Sequence, residues 1–266
     1  MMERHGQKAG FGSATLWLAG MIVLLFLISP VIIVAVISFN QSRVLSFPPH
    51  NVGLGWYQHV YNDAEWRRSL WISIQIALLT TIVATTFGFL AAMALVRSAI
   101  KRKMTIYGFV LAPMIVPNII VSVAFYMAFA KLGASGSIFA IAVGHSVFAL
   151  PLTTVILTAS LQSVDEHFEK AAIGLGASQW QTMRIITLPL ASPGLMSAAL
   201  FAFLTSFDEL LISLYLATAQ TQTLSVRIWN SLSFEVEPTI AAVSTLLILL
   251  TTMILGINAL LQRRAE

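Results

Sequence analysis

The chain has 266 residues, 58% hydrophobic and 10% charged, with a mean hydropathy of +0.85, whereas a water-soluble domain carries about a quarter charged residues. That composition excludes a soluble enzyme and puts the chain in a bilayer. The absence of cysteine excludes disulfide frameworks, thiolate nucleophiles, iron–sulfur clusters and Cys-based zinc sites. The net charge of +4 comes from basic groups that flank apolar runs, so it points to membrane orientation and not to nucleic acid.

Charge-free runs at 9–42, 69–96, 104–130, 132–164, 185–207 and 239–262 each supply the roughly 20 apolar residues of a spanning helix. They predict an all-α membrane protein of six transmembrane helices near 14–39, 70–96, 104–130, 138–161, 190–216 and 240–261. Six spans put both termini on one side. Ten of the fifteen Lys and Arg share that side: Arg4, Lys8, Arg97, Lys101, Arg102, Lys103, Lys170, Arg184, Arg263 and Arg264. Arg43, Arg67, Arg68, Lys131 and Arg227 fall on the other. The positive-inside bias therefore predicts cytoplasmic termini.

The first span is longer than the ~7–15 apolar residues of a secretory signal, and no small-x-small site follows promptly, so it reads as a retained anchor. With the outer segment it makes a first region, 1–66, followed by a transmembrane domain, 67–262. The outer segment holds Phe47, Pro48, Pro49, Trp56, Tyr57 and Trp66 with the turn formers Gly53 and Gly55. Interfacial aromatics of this kind predict a lid on the outer surface; contact with an external partner is the alternative. In the third span, Pro113, Pro117 and Asn118 predict a kinked or broken helix. Gly133-Ala134-Ser135-Gly136 is a short outer turn without a Walker lysine. His145, lone in an apolar helix, reads as a hydrogen-bonded packing residue rather than a ligand.

A permease could join two spans with four residues, so the long inner loop at 165–188 needs a reason. It reads as two short helices, 165–173 and 177–186, separated by Gly174 and Gly176. Asp165, Glu166 and Glu169 suit the positive end of a helix dipole. Trp180, Met183, Ile185 and Ile186 form an apolar set at helical spacing that is exposed unless a partner covers it. Pro189 and Pro193 mark the return to the membrane.

Ser206-Phe207-Asp208-Glu209 lies in the fifth span, some 22 Å from its inner end at about 1.5 Å per residue. Two adjacent carboxylates at that depth must face water, protein or a cation. A continuous helix would put Ser206, Glu209 and Ser213 on one face, with Asp208 about 100° around. One reading is a translocation pathway in which carboxylates replace the hydration of an ammonium group. The other is structural: a carboxylate paired with Arg227, or capping the segment after the span.

The stretch Glu169-Lys170-Ala171-Ala172-Ile173-Gly174-Leu175-Gly176-Ala177-Ser178, followed by Ile186-Thr187-Leu188-Pro189, resembles the EAA signature of binding-protein-dependent ABC importer permeases. Lys170 stands where that pattern has glutamate, and Glu169 lies one residue upstream. The segment Thr223-Leu224-Ser225-Val226-Arg227-Ile228-Trp229 looks like the polyamine (spermidine/putrescine) branch of these permeases.

The resemblance implies an ABC importer type I transmembrane domain in a bacterial plasma (inner) membrane, whose loop 165–188 couples to a separate ATPase through Glu169, Lys170, Ala171, Ala172, Gly176, Ala177, Trp180, Ile186, Leu188 and Pro189. It implies no cofactor in this chain, ATP being used by the partner. The implied partners are a cytoplasmic ABC ATPase dimer, a second and paralogous permease, an extracytoplasmic solute-binding protein and membrane lipid. The alternatives are a permease for another small solute, or a self-sufficient channel or intramembrane enzyme built on Asp208, Glu209 and His145.

Overall fold

The computed structural model describes residues 11–42, 46–234 and 238–263. Arg4, Lys8, Arg43 and Arg264, counted above for orientation, lie outside them, as does the side chain of Arg263. The described residues form helices α1 (Phe11–Ile37), α2 (Gly55–Asn62), α3 (Ala64–Val96), α4 (Lys103–Leu111), α5 (Asn118–Lys131), α6 (Ile138–Ser163) and α7 (Glu166–Gly174). These continue as α8 (Gln179–Thr182), α9 (Leu188–Leu190), α10 (Ser192–Phe207), α11 (Leu211–Leu216), α12 (Leu224–Phe234) and α13 (Thr239–Arg263). Four helices are each long and apolar enough to cross a membrane: Thr15–Ile37, Ala64–Val96, Ile138–Ser163 and Thr239–Asn258. Two bent pairs raise the number to six if each is one span: Lys103–Met114 with Asn118–Lys131, bent by 91°, and Gln179–Leu190 with Ser192–Phe207, bent by 73°.

The chain divides into two units, Met1–Asp63 with Phe234–Leu250, and Ala64–Ser233 with Thr251–Glu266. In the first, α1 is exposed from Thr15 to Ile33 except at Ser29, and half-buried from Val34 to Ile37, as suits a helix whose neighbours are lipid or another chain. The segment after α1 folds back on its end. Trp56 Nε1 donates to the Asn40 carbonyl at 2.8 Å, the Ser38 and Tyr57 hydroxyls meet at 2.6 Å, and Asn40 bridges Val52 in antiparallel fashion.

In the second unit, α3, α6 and α10 pack into a three-helix core through small side chains. Ala84, Ala149 and Ala202 meet and are almost wholly buried. A Cβ on Gly88 would lie 2.5 Å from Thr153 Oγ1, so glycine is what lets α3 and α6 approach this closely. Hydroxyls join the helices: Thr80 donates to the Ala142 carbonyl at 3.2 Å and Thr153 to the Ala84 carbonyl at 3.1 Å.

The predicted break in the third span is present. Pro113 sits in a 3₁₀ turn, Ala112–Met114, and Pro117 precedes α5; each lacks the N–H that would continue the helix. The fifth span departs from the expectation of one helix over 190–216: α10 ends at Phe207 and α11 starts at Leu211. The cause is Glu209, whose carboxylate takes the backbone N–H groups of Leu211, Ile212 and Ser213 at 3.1, 2.9 and 3.4 Å in place of helix carbonyls. The short helix α11 packs with α5 through Phe125, Phe129, Ile212 and Leu216.

Candidate functional site

The loop between α6 and α10 is built by caps. Asp165 caps α7 by accepting the His167 N–H at 2.9 Å. Gly176 ends it at φ +92°, where its N–H bonds the Ile173 carbonyl at 2.9 Å and the Ala177 N–H reaches back to the Ala172 carbonyl at 3.0 Å. That pair of bonds is a Schellman turn, which needs a residue free to adopt positive φ. Ser178 and Gln181 then form a reciprocal capping box, at 3.2 and 2.8 Å, that starts α8. The alanine pair and Gly176 thus set the angle between two short helices.

Each side chain named from the sequence has a definite place. Glu169 faces inward at 16% exposure, while Lys170 faces outward at 67% and pairs with Glu166 at 3.1 Å. Ala171 and Gly176 are exposed, Ala172 and Ala177 half-buried, and Pro189 is exposed within α9. Trp180 and Ile185 are exposed, as expected, at 65% and 67%. Ile186 and Met183 are half-buried, and Met183 and Leu188 pack against Phe89, Leu161 and Val164. The inward turn of Met183 corrects the expectation that it shares the exposed face. The reason is that the chain's own α3 and α6 offer Met183 an apolar cluster, Phe89, Leu157 and Leu161 among it, to pack against.

A cleft of about 820 Å³ opens beside these helices, lined by Arg97, Glu169, Lys170, Ile173, Trp180 and Thr187 among others. Arg97, at the end of α3, and Thr187 were missed as site residues. Arg97 was legible only as one of a basic cluster, and Thr187 only as the free position of the Ile186-Thr187-Leu188-Pro189 run. The signal that could have found Arg97 was the pair of acids, Glu166 and Glu169, in a loop on the same side. The carboxyls that open the loop titrate below their ordinary range. Asp165 is held down by the His167 backbone and side chain, and Glu166 by Lys170 and then Arg97.

The second cluster lies where the fifth span breaks. His145 is 1% exposed. Its Nδ1 lies 2.8 Å from Ser206 Oγ on α10, and its Nε2 lies 2.9 Å from Ser213 Oγ on α11. Ser206 donates to Thr80 at 3.1 Å, and Thr80 in turn to the Ala142 carbonyl. Ser206 Oγ is therefore left to accept a hydrogen bond from Nδ1–H. Glu209 Oε2 stands 3.4 Å from Nε2.

Ser206, Glu209 and Ser213 thus converge, around His145 and across a break, although no continuous helix face carries them. Asp208 does not join them. It is exposed at the break and makes no side-chain hydrogen bond or ion pair among the described residues. Arg227 pairs with Glu65 at 2.5 Å and sits 4.8 Å over the Trp66 ring, so it does not serve either acid of the fifth span. Among the described residues no three His, Asp or Glu side chains gather to hold a metal.

Comparison with known proteins adds the following. Residues 84–266 match the family described as binding-protein-dependent transport system inner membrane component. The chain is 30% identical over 91% of its length, and 94% of the relative's, to the spermidine/putrescine transport system permease protein PotC of Haemophilus influenzae. It is 28% identical over 91% of its length, and 88% of the relative's, to the putrescine transport system permease protein PotI of Escherichia coli. Among solved structures, a bacterial ABC transporter involved in the import of the acidic polysaccharide alginate superposes with a TM-score of 0.73. That superposition covers 97% of this chain and 98% of the other at 18% identity, a likeness of fold.

Proposed function

Because this chain belongs to the family of binding-protein-dependent transport system inner membrane components, we propose that it is the permease subunit of an ATP-driven importer that carries a polyamine such as putrescine or spermidine across the inner membrane. It is a transport subunit and not an enzyme. On this reading both termini and the loop 165–188 are cytoplasmic. The complex is completed by an ATPase dimer, a second and paralogous permease and an extracytoplasmic solute-binding protein. ATP is bound and hydrolysed by the ATPase, with no cofactor in this chain.

The observation that carries the coupling role is the loop itself: two short helices set at an angle by Gly176, with Trp180 and Ile185 uncovered beside a cleft. A helix-in-groove contact requires that combination of rigidity and exposed apolar area. Substrate class is supported by the two polyamine permeases to which the chain is similar over nine-tenths of its length.

In the pathway, Asp208 is the exposed carboxylate that meets the ammonium group, and Ser206, Glu209 and Ser213 fix the wall behind it through His145. Uptake of radiolabelled putrescine by cells carrying the full transporter tests this. Uptake that depends on this chain and slows about tenfold in Asp208→Asn is expected, a loss of some 1.4 kcal/mol of charge-assisted attraction. Uptake unchanged by deletion of the chain would contradict the reading.

A further inference from the structure

Three nitrogens of one guanidinium meet the end of α6 and two positions of the loop. Arg97 Nη2 donates to the Val164 carbonyl at 2.8 Å, Nη1 to Glu166 Oε1 at 3.3 Å, and Nε lies 3.2 Å from the Glu169 carboxylate. Glu169 Oε1 also accepts from Thr187 Oγ1 at 2.9 Å, so a single carboxylate ties the first loop helix to the π-helical stretch 18 residues later. Arg97 itself is no swinging arm. Its backbone N–H continues the α3 ladder to the Met93 carbonyl at 2.9 Å, and its side chain is only 12% exposed.

Beneath this polar lattice, Met183 and Leu188 of the loop and Met93 and Val96 of the α3 end pack against one buried cluster that includes Phe89 and Ala92 of α3. The loop is therefore held to α3 twice, by an apolar seat that carries the fold and by a charged fork that fixes its angle. The apolar contact alone permits sliding, because dispersion contacts are not directional. The fork does not, because a guanidinium demands planar geometry at each bond.

We propose that Arg97 is a positioning residue that makes the loop and α3 move as one body, so that displacement of the loop reaches the three-helix core. This inference rests on the reading of the loop as the ATPase contact. It acts through Glu169 and Thr187. It also assigns the inward-facing Glu169 to the permease's own scaffold, and leaves Lys170 to the outer face.

The test uses the assembled transporter in proteoliposomes and reads two quantities. The first is putrescine moved per ATP hydrolysed. Arg97→Gln is expected to assemble and hydrolyse ATP at more than half the parental rate while moving about fivefold less solute per ATP. Arg97→Lys, which keeps the charge but one bond, falls between. Thr187→Val, which cuts only the outer link, costs about twofold. Arg97→Gln with Glu169→Gln is no worse than Arg97→Gln alone, since both sit in one lattice. A ratio within twofold of the parent in Arg97→Gln, or additive losses in the pair, would overturn the proposal.

The second quantity needs no solute. Spin labels on Lys101→Cys and Arg184→Cys, in a chain that has no cysteine of its own and with cysteine-free partner subunits, report the separation of the turn that follows α3 and the loop. In the parent that separation stays constant between nucleotide-free and ATP–vanadate states, and in Arg97→Gln its distribution broadens. A parental separation that shifts with nucleotide would overturn the proposal. A parent that fails to carry putrescine while keeping a constant separation would instead strike at the substrate reading.

Discussion

The loop end and the centre of the fifth span both use polar side chains to hold a broken stretch of helix in place, but they use opposite chemistries. At the loop, Arg97, Glu166, Glu169 and Lys170 do the work with formal charges. At the centre, His145, Ser206, Ser213 and Thr80 do it through hydroxyls and an imidazole, and the one carboxylate, Glu209, is turned onto backbone N–H groups. The difference follows from surroundings. An exposed ion pair such as Glu166–Lys170 is worth about 0–1 kcal/mol, whereas an unpaired polar group inside costs about 1–3 kcal/mol. The centre is thus the costlier of the two to open, and the loop is fixed to α3 by geometry more than by energy.

The comparison can be broken from either side. The largest effect belongs to Gly176→Pro, which removes the N–H bonded to Ile173 and cannot adopt φ +92°. Transport is expected to vanish with membrane insertion intact, as scored by uptake and by membrane yield. Next, His145→Leu strands Ser213 and removes one of the two bonds of Ser206, at an expected cost of about 2–3 kcal/mol, read as a lowered thermal midpoint of the purified complex. Arg97→Gln should cost about 1 kcal/mol in the same assay; a larger loss there than at His145 would invert the contrast. Ser213→Ala, which leaves one imidazole nitrogen unsatisfied, should fall near 1 kcal/mol.

The smallest effect is the pH response of the loop. Asp165 and Glu166 are both held below their ordinary values of 3.8 and 4.5. Their contribution to order is therefore complete above the ordinary values, and is lost only as pH falls through the lowered ones. Hydrogen-exchange protection of the α7 amides should be flat from pH 7 to about 5 and decline below about 4. A decline that begins well above pH 5 would contradict the assignment to Asp165 and Glu166.

What could be read from the sequence, and what could not, divides along the same line. The loop's two helices, its glycine turn and the exposed Trp180 were legible because caps and glycines are local signals. The break in the third span was legible because two prolines announce it. The break at 208–210 was not, because the apolar pattern runs on through Leu210 to Leu216 and the competitor for the backbone is a side chain, Glu209, whose reach depends on conformation. Met183 was misplaced because the apolar cluster that covers it is built by helices distant in sequence. His145 was legible as a packing residue, but its partners on two sides of a break were not. Arg97 hid in a basic cluster whose average charge said orientation, while its individual geometry says clamp.

The central claim is that the loop 165–188 is where this permease meets an ATPase. The chain should be purified, tagged, from its native membrane in mild detergent with and without Trp180→Glu, and its companions identified by mass spectrometry. The account predicts an ATPase subunit and a second permease with the parent, and loss of the ATPase alone in the variant. The same companions in both samples, or none in either, would contradict it.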